Sequence, residues 1–336
     1  MSELAASAGT SGGPAGPDTV ERQFEPFRVE LTGYCYRMLG SAFEAEDAVQ
    51  DTMVRAWKSF DRFEGRSSVR SWLYRIATNV CLDSLNGRER RARPMDLSSP
   101  VPANSPLPAP MPEATWIEPI PDGRVVPSVA DPAEVAIVRE SVRLAFVAAL
   151  QHLPPRQRAV LILREVLAWK ASEVAELLGT TVASVNSALQ RARAALAENP
   201  VTAGDPLRPM DEEQQALLRR YVDAFERYDL ESLTALLRED AMLQMPPFDL
   251  WLQGPAEICA WMLGTGHGCQ GSRLVPIAAN GMPGFGQYRP SGPGGALEPW
   301  ALQVLEISDG RIVGINSFLD VPQLFPLFGL PPTFEG

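Results

Sequence analysis

Apolar residues recur at three- and four-residue steps in two neighbouring segments between residues 43 and 91. The first predicts a helix with a core stripe of Ala45, Val49, Met53, Ala56 and Phe60, which Trp57 widens. The second predicts a helix that buries Val69, Leu73, Ile76 and Val80. Upstream, residues 24–40 fit a preceding helix that Gly40 ends, and Ser41 caps the next one. The pattern therefore predicts a small helical bundle.

The two predicted helices differ in the charge around them. The first exposes Asp47, Gln50, Asp51 and Arg55, a face that either solvation or a protein partner would explain. The second lies in a stretch, 62–93, that holds eight arginines and three acidic residues, although the whole chain has a net charge of −11. A local basic patch of this kind attracts phosphate. Trp72 and Tyr74 add aromatic faces for an unstacked base, although Trp72 would equally fit a core.

A helix-turn-helix pattern follows at residues 153–196. Pro154 and Pro155 fit a helix start, and Gly179 fits the turn between two later helices. The last helix is predicted to bury Val182, Val185, Leu189, Ala192 and Leu196. Its opposite face carries amide, hydroxyl and arginine side chains, which suit base edges and phosphates in a major groove. An antiparallel helical hairpin without a DNA partner is the alternative.

The segment from Phe43 to Arg91 resembles region two of the extracytoplasmic-function (ECF) sigma factors, and residues 153–196 resemble region four. The resemblance implies a promoter-recognition subunit that performs no covalent chemistry. It implies core RNA polymerase contacts by Asp47, Gln50, Asp51 and Arg55. Contacts to the −10 element are implied for Arg66, Arg70, Trp72, Arg75, Asn79, Arg88, Arg90 and Arg91. Contacts to the −35 element are implied for Ser184, Asn186, Ser187, Gln190, Arg191 and Arg193.

Residues 94–131 predict a linker between these two modules. They include ten prolines, five acidic residues and one arginine, so we expect an extended segment without a core of its own. Within it, the apolar stretch Trp116–Pro121 is unusual for a solvated linker. In sigma factors with a C-terminal extension, a similar Trp-Pro motif packs on that extension. That resemblance implies docking by Trp116, Ile117 and Pro119.

Residues 210–336 predict helices followed by a curved antiparallel sheet, an α+β cone. The stretches at 221–247 and 308–320 resemble SnoaL-like domains, which share the nuclear-transport-factor-two fold and enclose a pocket. His267 and Asp249 are candidate general bases of an isomerase-like site, although a surface role is simpler for both. Cys259, His267 and Cys269 lack a fourth ligand at zinc-site spacing, so we expect no metal. Four aromatic residues would line or fill the pocket: Phe225, Trp251, Trp261 and Trp300.

The expected layout is a disordered tail (1–19), region two (20–93), the linker (94–131), region four (132–198), a second linker (199–209) and the SnoaL-like domain (210–336). Four scattered cysteines, no apolar run of membrane length and no signal-peptide pattern favour a cytoplasmic protein. We expect no cofactor. The partners expected are core RNA polymerase and promoter DNA, with no membrane. A small-molecule ligand and a separate anti-sigma protein stay open. The alternative function is a DNA-binding anchor fused to a ligand-sensing or isomerase-like domain.

Overall fold

The computed structural model describes residues 22–65, 67–127, 131–198, 212–292 and 294–334. The predicted tail (1–19), the predicted second linker (199–209) and Arg66 lie outside the described residues.

Three helices form the first domain: α1 (Arg28–Leu39), α2 (Ala42–Ser59) and α3 (Val69–Leu85). Gly40 ends α1 in the left-handed conformation at φ 76°, which a residue without a Cβ adopts at no steric cost. The Ser41 hydroxyl then accepts the Glu44 amide N–H at 3.1 Å and caps α2. Both predicted boundaries are confirmed.

The second domain comprises α4 (Pro132–Val142), α5 (Leu144–Gln151), α6 (Pro155–Leu161), α7 (Ala171–Leu177) and α8 (Val182–Glu198). A π-helical turn, Ile162–Val166, continues α6. Gly179, at φ 61°, makes the turn between α7 and α8, as predicted. Helix α8 buries Val185, Leu189 and Ala192, but the predicted core residue Val182 is 43% exposed because it lies in the first turn.

The third domain begins with α9 (Glu212–Arg227) and α10 (Leu230–Ala235) and continues with a six-stranded sheet. Its strands are β1 (Leu237–Gln244), β2 (Trp251–Gln253), β3 (Arg273–Ala279), β4 (Met282–Pro290), β5 (Leu297–Ser308) and β6 (Arg311–Phe318). Helix α11 (Pro255–Leu263) follows β2, and α12 (Val321–Leu327) follows β6.

The sheet has the strand order β2-β1-β6-β5-β4-β3 and is mixed rather than wholly antiparallel. Strands β1 and β6 are parallel, which corrects the expectation of an antiparallel sheet. The other neighbours are antiparallel, and Asp309-Gly310 forms the hairpin turn between β5 and β6 with positive φ at both residues. One face of the sheet forms a core with α9, α10 and α11, and α12 packs against the other face.

Residues 94–127 of the predicted linker are docked, which differs from the expectation of an extended segment. This segment forms single helical turns at Pro94–Leu97 and Asp122–Val125. It pairs by isolated bridges with Phe248 and Ala279 of the third domain. Ile117, Ile120 and Val125 are nearly inaccessible to solvent. The segment cannot form a core alone, but its apolar side chains complete a core supplied by its neighbours.

Candidate DNA-binding and polymerase-binding surfaces

The four predicted polymerase contacts lie on the solvent-facing side of α2. Asp47, Gln50 and Arg55 are exposed, and Asp51 is half-buried. The Arg55 guanidinium is 2.8 Å from the Asp51 carboxylate, and 3.6 Å from that of Asp83 on α3. The structure thus brings these side chains together on one polar face.

An apolar groove adjoins this face, and the sequence pattern did not predict it. Its volume is about 250 Å³, and its walls include Phe24, Gln50, Met53, Val54 and Trp57. Trp57 is 52% exposed, so its expected contribution to the core stripe is wrong. A large exposed indole beside charged residues is typical of a protein-binding surface.

Two of the predicted −10 contacts hold the first domain against the second. Arg70 donates two hydrogen bonds from Nε and Nη2 to the Glu30 carboxylate at 3.0 and 2.9 Å. Its guanidinium carbon also lies 5.4 Å from the ring centre of Trp169, which precedes α7. Arg75 donates to the backbone carbonyl of Glu176 on α7 at 3.3 Å. These arginines are therefore occupied by protein partners in this arrangement.

The aromatic residues of α3 differ in exposure. Tyr74 is fully buried, with its ring centre 5.0 Å from that of Trp169, so in this arrangement it is not accessible to an unstacked base. Trp72 is half-buried in a cluster with Phe24, Phe60 and Phe63. Asn79 is exposed about two turns beyond Trp72 on α3.

The basic residues after α3 are also engaged. Arg88 forms an ion pair with Glu44 at 2.5 Å, and Arg90 contacts the ring of His152. Arg91 is only 7% exposed and donates from Nη1 to the Trp116 carbonyl oxygen at 2.5 Å. The Arg91 Nη2 atom lies 3.0 Å from the Glu44 carboxylate. Arg91 thus binds the docked linker.

The six residues predicted to contact the −35 element all lie exposed on α8: Ser184, Asn186, Ser187, Gln190, Arg191 and Arg193. The α8 core residues lie on the opposite side, so this surface is free of the hydrophobic core. Arg193 is 2.7 Å from the Glu165 carboxylate in an exposed pair, which water screens. Helix α8 is consequently accessible in the same arrangement that occupies Arg70 and Arg91.

Trp116, Ile117 and Pro119 lie buried between the first and third domains. Trp116 and Ile117 line a space together with Phe43 of the first domain and Phe318 of the third. The neighbouring Glu118 accepts a hydrogen bond from the Ser41 hydroxyl at 2.5 Å, and its carboxylate is 3.6 Å from Arg91. Burial raises the pKa of Glu118 to about 7, although Arg91 and Ser41 oppose that rise.

Asn280, between β3 and β4, joins three parts of the chain. Its side-chain amide donates to the Val142 carbonyl oxygen at 2.7 Å and to the Tyr36 hydroxyl. Its side-chain oxygen accepts the Ile120 amide N–H at 3.0 Å. Asn280 is fully buried, at φ 57°. This turn therefore attaches the third domain to α1, α4 and the linker.

The third domain encloses a cavity of about 310 Å³ between the sheet and its helices. Phe225, Trp261 and Trp300 line it, as expected. Trp251 does not, because its indole N–H donates to the Ser98 carbonyl oxygen at 3.0 Å outside the cavity.

Neither candidate general base lies in that cavity. His267 is exposed on a 3-10 turn, and Asp249 accepts a hydrogen bond from the Ser98 hydroxyl at 2.7 Å. Within the described ranges, no group of three or more His, Cys, Asp or Glu side chains is placed to hold a metal ion. The cavity therefore offers a binding site rather than the acid–base residues considered from the sequence.

Comparisons with known proteins agree with these three units. Residues 24–91 match the Sigma-70 region 2 family, residues 143–196 match Sigma-70 region 4, and residues 218–315 match the SnoaL-like domain family. Helices of the described residues include none long and apolar enough to cross a membrane.

Two relatives come from Mycobacterium tuberculosis. The chain is 46% identical over 312 residues to the ECF RNA polymerase sigma factor SigG, an alignment that covers 92% of this chain and 83% of the relative. It is 25% identical to the ECF sigma factor SigJ, over 87% of this chain and 89% of the relative. The crystal structure of SigJ has the same overall fold, with a TM-score of 0.59, 22% sequence identity and coverage of 92% of this chain and 99% of that one. The chain belongs to the ECF sigma factors of RNA polymerase, as a non-enzymatic transcription initiation factor with a C-terminal SnoaL-like domain.

Proposed function

We propose that this sigma factor binds core RNA polymerase through Asp47, Gln50, Asp51 and Arg55 together with the adjacent groove around Trp57. An exposed aromatic residue beside a polar, partly acidic rim supports the assignment, because such surfaces are common at protein interfaces. The bound sigma factor would act on DNA in the cytoplasm.

Promoter recognition would divide between two surfaces. The exposed face of α8, from Ser184 to Arg193, would contact the −35 element, because its hydroxyl, amide and guanidinium groups match base edges and phosphates. The arginines of α3 and the following loop, with Trp72 and Asn79, would contact the −10 element. Removal of a base from the stacked DNA costs a few kcal/mol, and contacts between the protein and the flipped base would offset this cost.

The C-terminal domain would regulate this activity by holding a closed arrangement, defined here as the one in which Arg70, Arg75 and Arg91 have protein partners. The single observation that carries this proposal is the position of Arg91, which is buried under the linker that the third domain holds in place. Phosphate cannot reach Arg91 until the linker moves. A separate anti-sigma protein is not required for this form of control.

In vitro transcription with core polymerase and a genomic promoter library tests the function. We expect specific transcripts with the full chain and an altered yield when residues 210–336 are removed. Absence of any specific transcript would contradict the assignment of the two DNA-binding surfaces. An unchanged promoter-specific yield after truncation would contradict the regulatory role alone.

Ligand sensing by the third domain is a second candidate function, supported by its cavity. The cavity lies next to the linker, since Leu107 forms part of its wall. A ligand could therefore alter the same linker that covers Arg91.

A further inference from the structure

One arginine stands in the cavity wall of the third domain without an acidic partner. The guanidinium carbon of Arg289 lies 3.2 Å from the ring centre of Trp300, and both side chains line the cavity. Arg289 is half-buried, and the described part of the chain offers it no ion pair. Glu298 is its cross-strand neighbour, but the Glu298 side chain is exposed and forms no ion pair with it. The guanidinium is therefore available to an anion in the cavity.

The rest of the cavity wall is neutral. Arg289 is the single charged side chain among the lining residues, and none of the others is Asp, Glu, His or Lys. Burial raises the pKa of the Cys269 thiol and of the Tyr221 phenol, so both groups are neutral near pH 7. The SnoaL-like domain as a whole has 16 acidic residues and seven arginines. The cavity wall thus carries one positive charge, which matches a ligand with a single negative group.

The cavity separates a polar side from an apolar one. The Tyr221 hydroxyl donates to the Gln303 side-chain oxygen at 2.8 Å, and the Gln303 amide donates to Gln287 at 2.8 Å. These polar groups are thus already paired with one another. The remaining walls are largely apolar and include Phe225, Leu243, Met245 and Ile258. Trp261 also lines the cavity, and its buried indole N–H has no acceptor among the described residues.

The linker forms part of the same site. Leu107 contributes to the cavity wall, and the backbone on either side of it is fixed to the third domain. The Val101 amide donates to the Trp251 carbonyl oxygen at 3.0 Å, and the Met111 amide to the Pro247 carbonyl oxygen at 2.9 Å. A molecule in the cavity would therefore touch the segment that leads to Trp116.

We propose that the cavity binds an apolar monocarboxylate whose carboxylate pairs with Arg289 and whose ring or chain lies among Phe225, Leu243 and Ile258. Guanidinium groups bind carboxylates through two parallel hydrogen bonds, which gives the site its preference for an acid over a neutral analogue. A volume of 310 Å³ is at the lower end of ligand sites, about 300–1,000 Å³, so the acid has one or two rings or a medium-length chain. The proposal deepens the ligand-sensing role proposed above and rests on it.

Isothermal titration of the full chain with 2-naphthoate and with its neutral amide, 2-naphthamide, tests the site without polymerase or DNA. We expect the acid to bind at least about tenfold more tightly than the amide, since one charge-assisted pair contributes more than a neutral hydrogen bond. Arg289→Gln removes that difference, and Arg289→Lys restores part of it because it keeps the charge. Arg220→Gln, on an exposed arginine of α9, leaves both affinities unchanged.

Equal affinities of the wild-type chain for the acid and the amide would overturn the proposal. So would an acid preference that survives Arg289→Gln, or a failure to bind 2-naphthoate, decanoate and 2-naphthamide at millimolar concentration. Decanoate has an alkyl chain in place of the rings and keeps the carboxylate. It therefore tests whether the cavity binds a chain-shaped acid when it does not bind a ring-shaped one. These titrations are independent of transcription, and a lack of binding would leave the sigma-factor assignment intact. A transcription assay without specific transcripts would leave the titration result unaffected.

Discussion

The side-chain amide of Asn280 donates a hydrogen bond to the hydroxyl of Tyr36 at 2.6 Å, which joins a turn of the C-terminal sheet to a buried helix of region two. Both residues are inaccessible to solvent, and Tyr36 itself donates to the Glu118 carbonyl oxygen at 2.7 Å. Three segments that lie far apart in the sequence are thus fixed at one point. A buried polar group without its partner costs about 1–3 kcal/mol, so the closed arrangement depends on this amide.

Replacement of Asn280 should loosen the closed arrangement. Asn280→Gly keeps the positive φ of the turn at no steric cost but leaves the Ile120 amide and the Tyr36 hydroxyl without the Asn280 side chain. We expect faster hydrogen exchange in the linker around Trp116 and an altered yield of specific transcript. Asn104→Ala, at an exposed linker position, is the matched control. Wild-type exchange and transcription in Asn280→Gly would exclude this turn as the attachment point.

Release of Arg70 should strengthen binding to the −10 element. Glu30→Gln removes the carboxylate that Arg70 binds with two nitrogens, without a change to a predicted DNA contact. Because the pair is partly exposed, we expect an effect of about 1 kcal/mol or less, several-fold in affinity. Fluorescence anisotropy with single-stranded −10 DNA measures it, and Glu25→Gln, in an exposed pair with Arg28, is the control. Weaker DNA binding by Glu30→Gln would mean that Glu30 orients Arg70 for DNA rather than restraining it.

The sequence was sufficient for the three helices of the first domain, the helix-turn-helix of the second and the order of the three units, because each depends on local periodicity and on turn residues such as Gly40 and Gly179. It did not predict the parallel pairing of β1 with β6, because the alternation of apolar and polar residues along a strand does not specify the strand's partner. The Asn280-Gly281 pair, between β3 and β4, is a recognisable turn signal. Its contact with Tyr36 depends on domain packing, which no local pattern encodes.

Local sequence patterns also do not encode which side chains are covered by neighbouring elements, and this explains the incorrect predictions of solvent exposure. Trp57 fits the apolar stripe of α2 by spacing, yet its side is left uncovered by the neighbouring helices. Tyr74 lies among predicted DNA contacts, but Trp169 of region four covers it. The proline-rich linker lacks a core by composition, and its Ile117, Ile120 and Val125 are buried because two other domains supply one. Contacts between domains decide the cases of Tyr74 and the linker, and the absence of a covering helix decides that of Trp57.

The stability of the folded chain should decrease as pH rises through a range set by Glu118. Its pKa is about 7 in the folded chain, above the ordinary carboxyl value of 4.5, because burial disfavours the charged form. Between these two values the folded chain retains a proton that the unfolded chain has lost. The stabilisation that Glu118 contributes is therefore complete below pH 4.5 and is lost as pH rises to 7. Over this window the free energy of unfolding falls by about 1.4 kcal/mol per pH unit at most.

Urea unfolding of wild type and Glu118→Gln from pH 5 to pH 8 measures this contribution. The amide cannot ionise, so we expect Glu118→Gln to lack the share of the pH dependence that Glu118 adds between pH 5 and 7. Arg91 and Glu113 also influence this carboxyl and are unchanged in the variant. Parallel pH profiles of the two proteins would contradict the assignment to Glu118.

The exposed indole of Trp57 should contribute to polymerase affinity and not to folding. Trp57→Ala removes an aromatic side chain from a surface groove, and interface aromatics of this kind contribute about 2 kcal/mol or more when a partner covers them. We expect a loss of affinity for core polymerase of at least tenfold with an unchanged melting temperature. Leu263→Ala, at an apolar position of the third domain that is 64% exposed, should change neither quantity. Full polymerase affinity in Trp57→Ala would remove the groove from the proposed interface.

Side chains of α8 should determine recognition of the −35 element. Gln190→Ala and Arg191→Ala remove an amide and a guanidinium from an exposed helix face, so folding is unaffected. Each base-edge contact contributes about 1–3 kcal/mol to discrimination between the correct and an incorrect base pair. We therefore expect the ratio of transcription from native and scrambled −35 elements to fall by a factor that corresponds to this energy. A control, Arg156→Ala, removes an exposed arginine of α6 on the same domain. Transcription from promoters with native and scrambled −35 elements measures the ratio, and a ratio equal to that of wild type would show that α8 binds without contacting base edges.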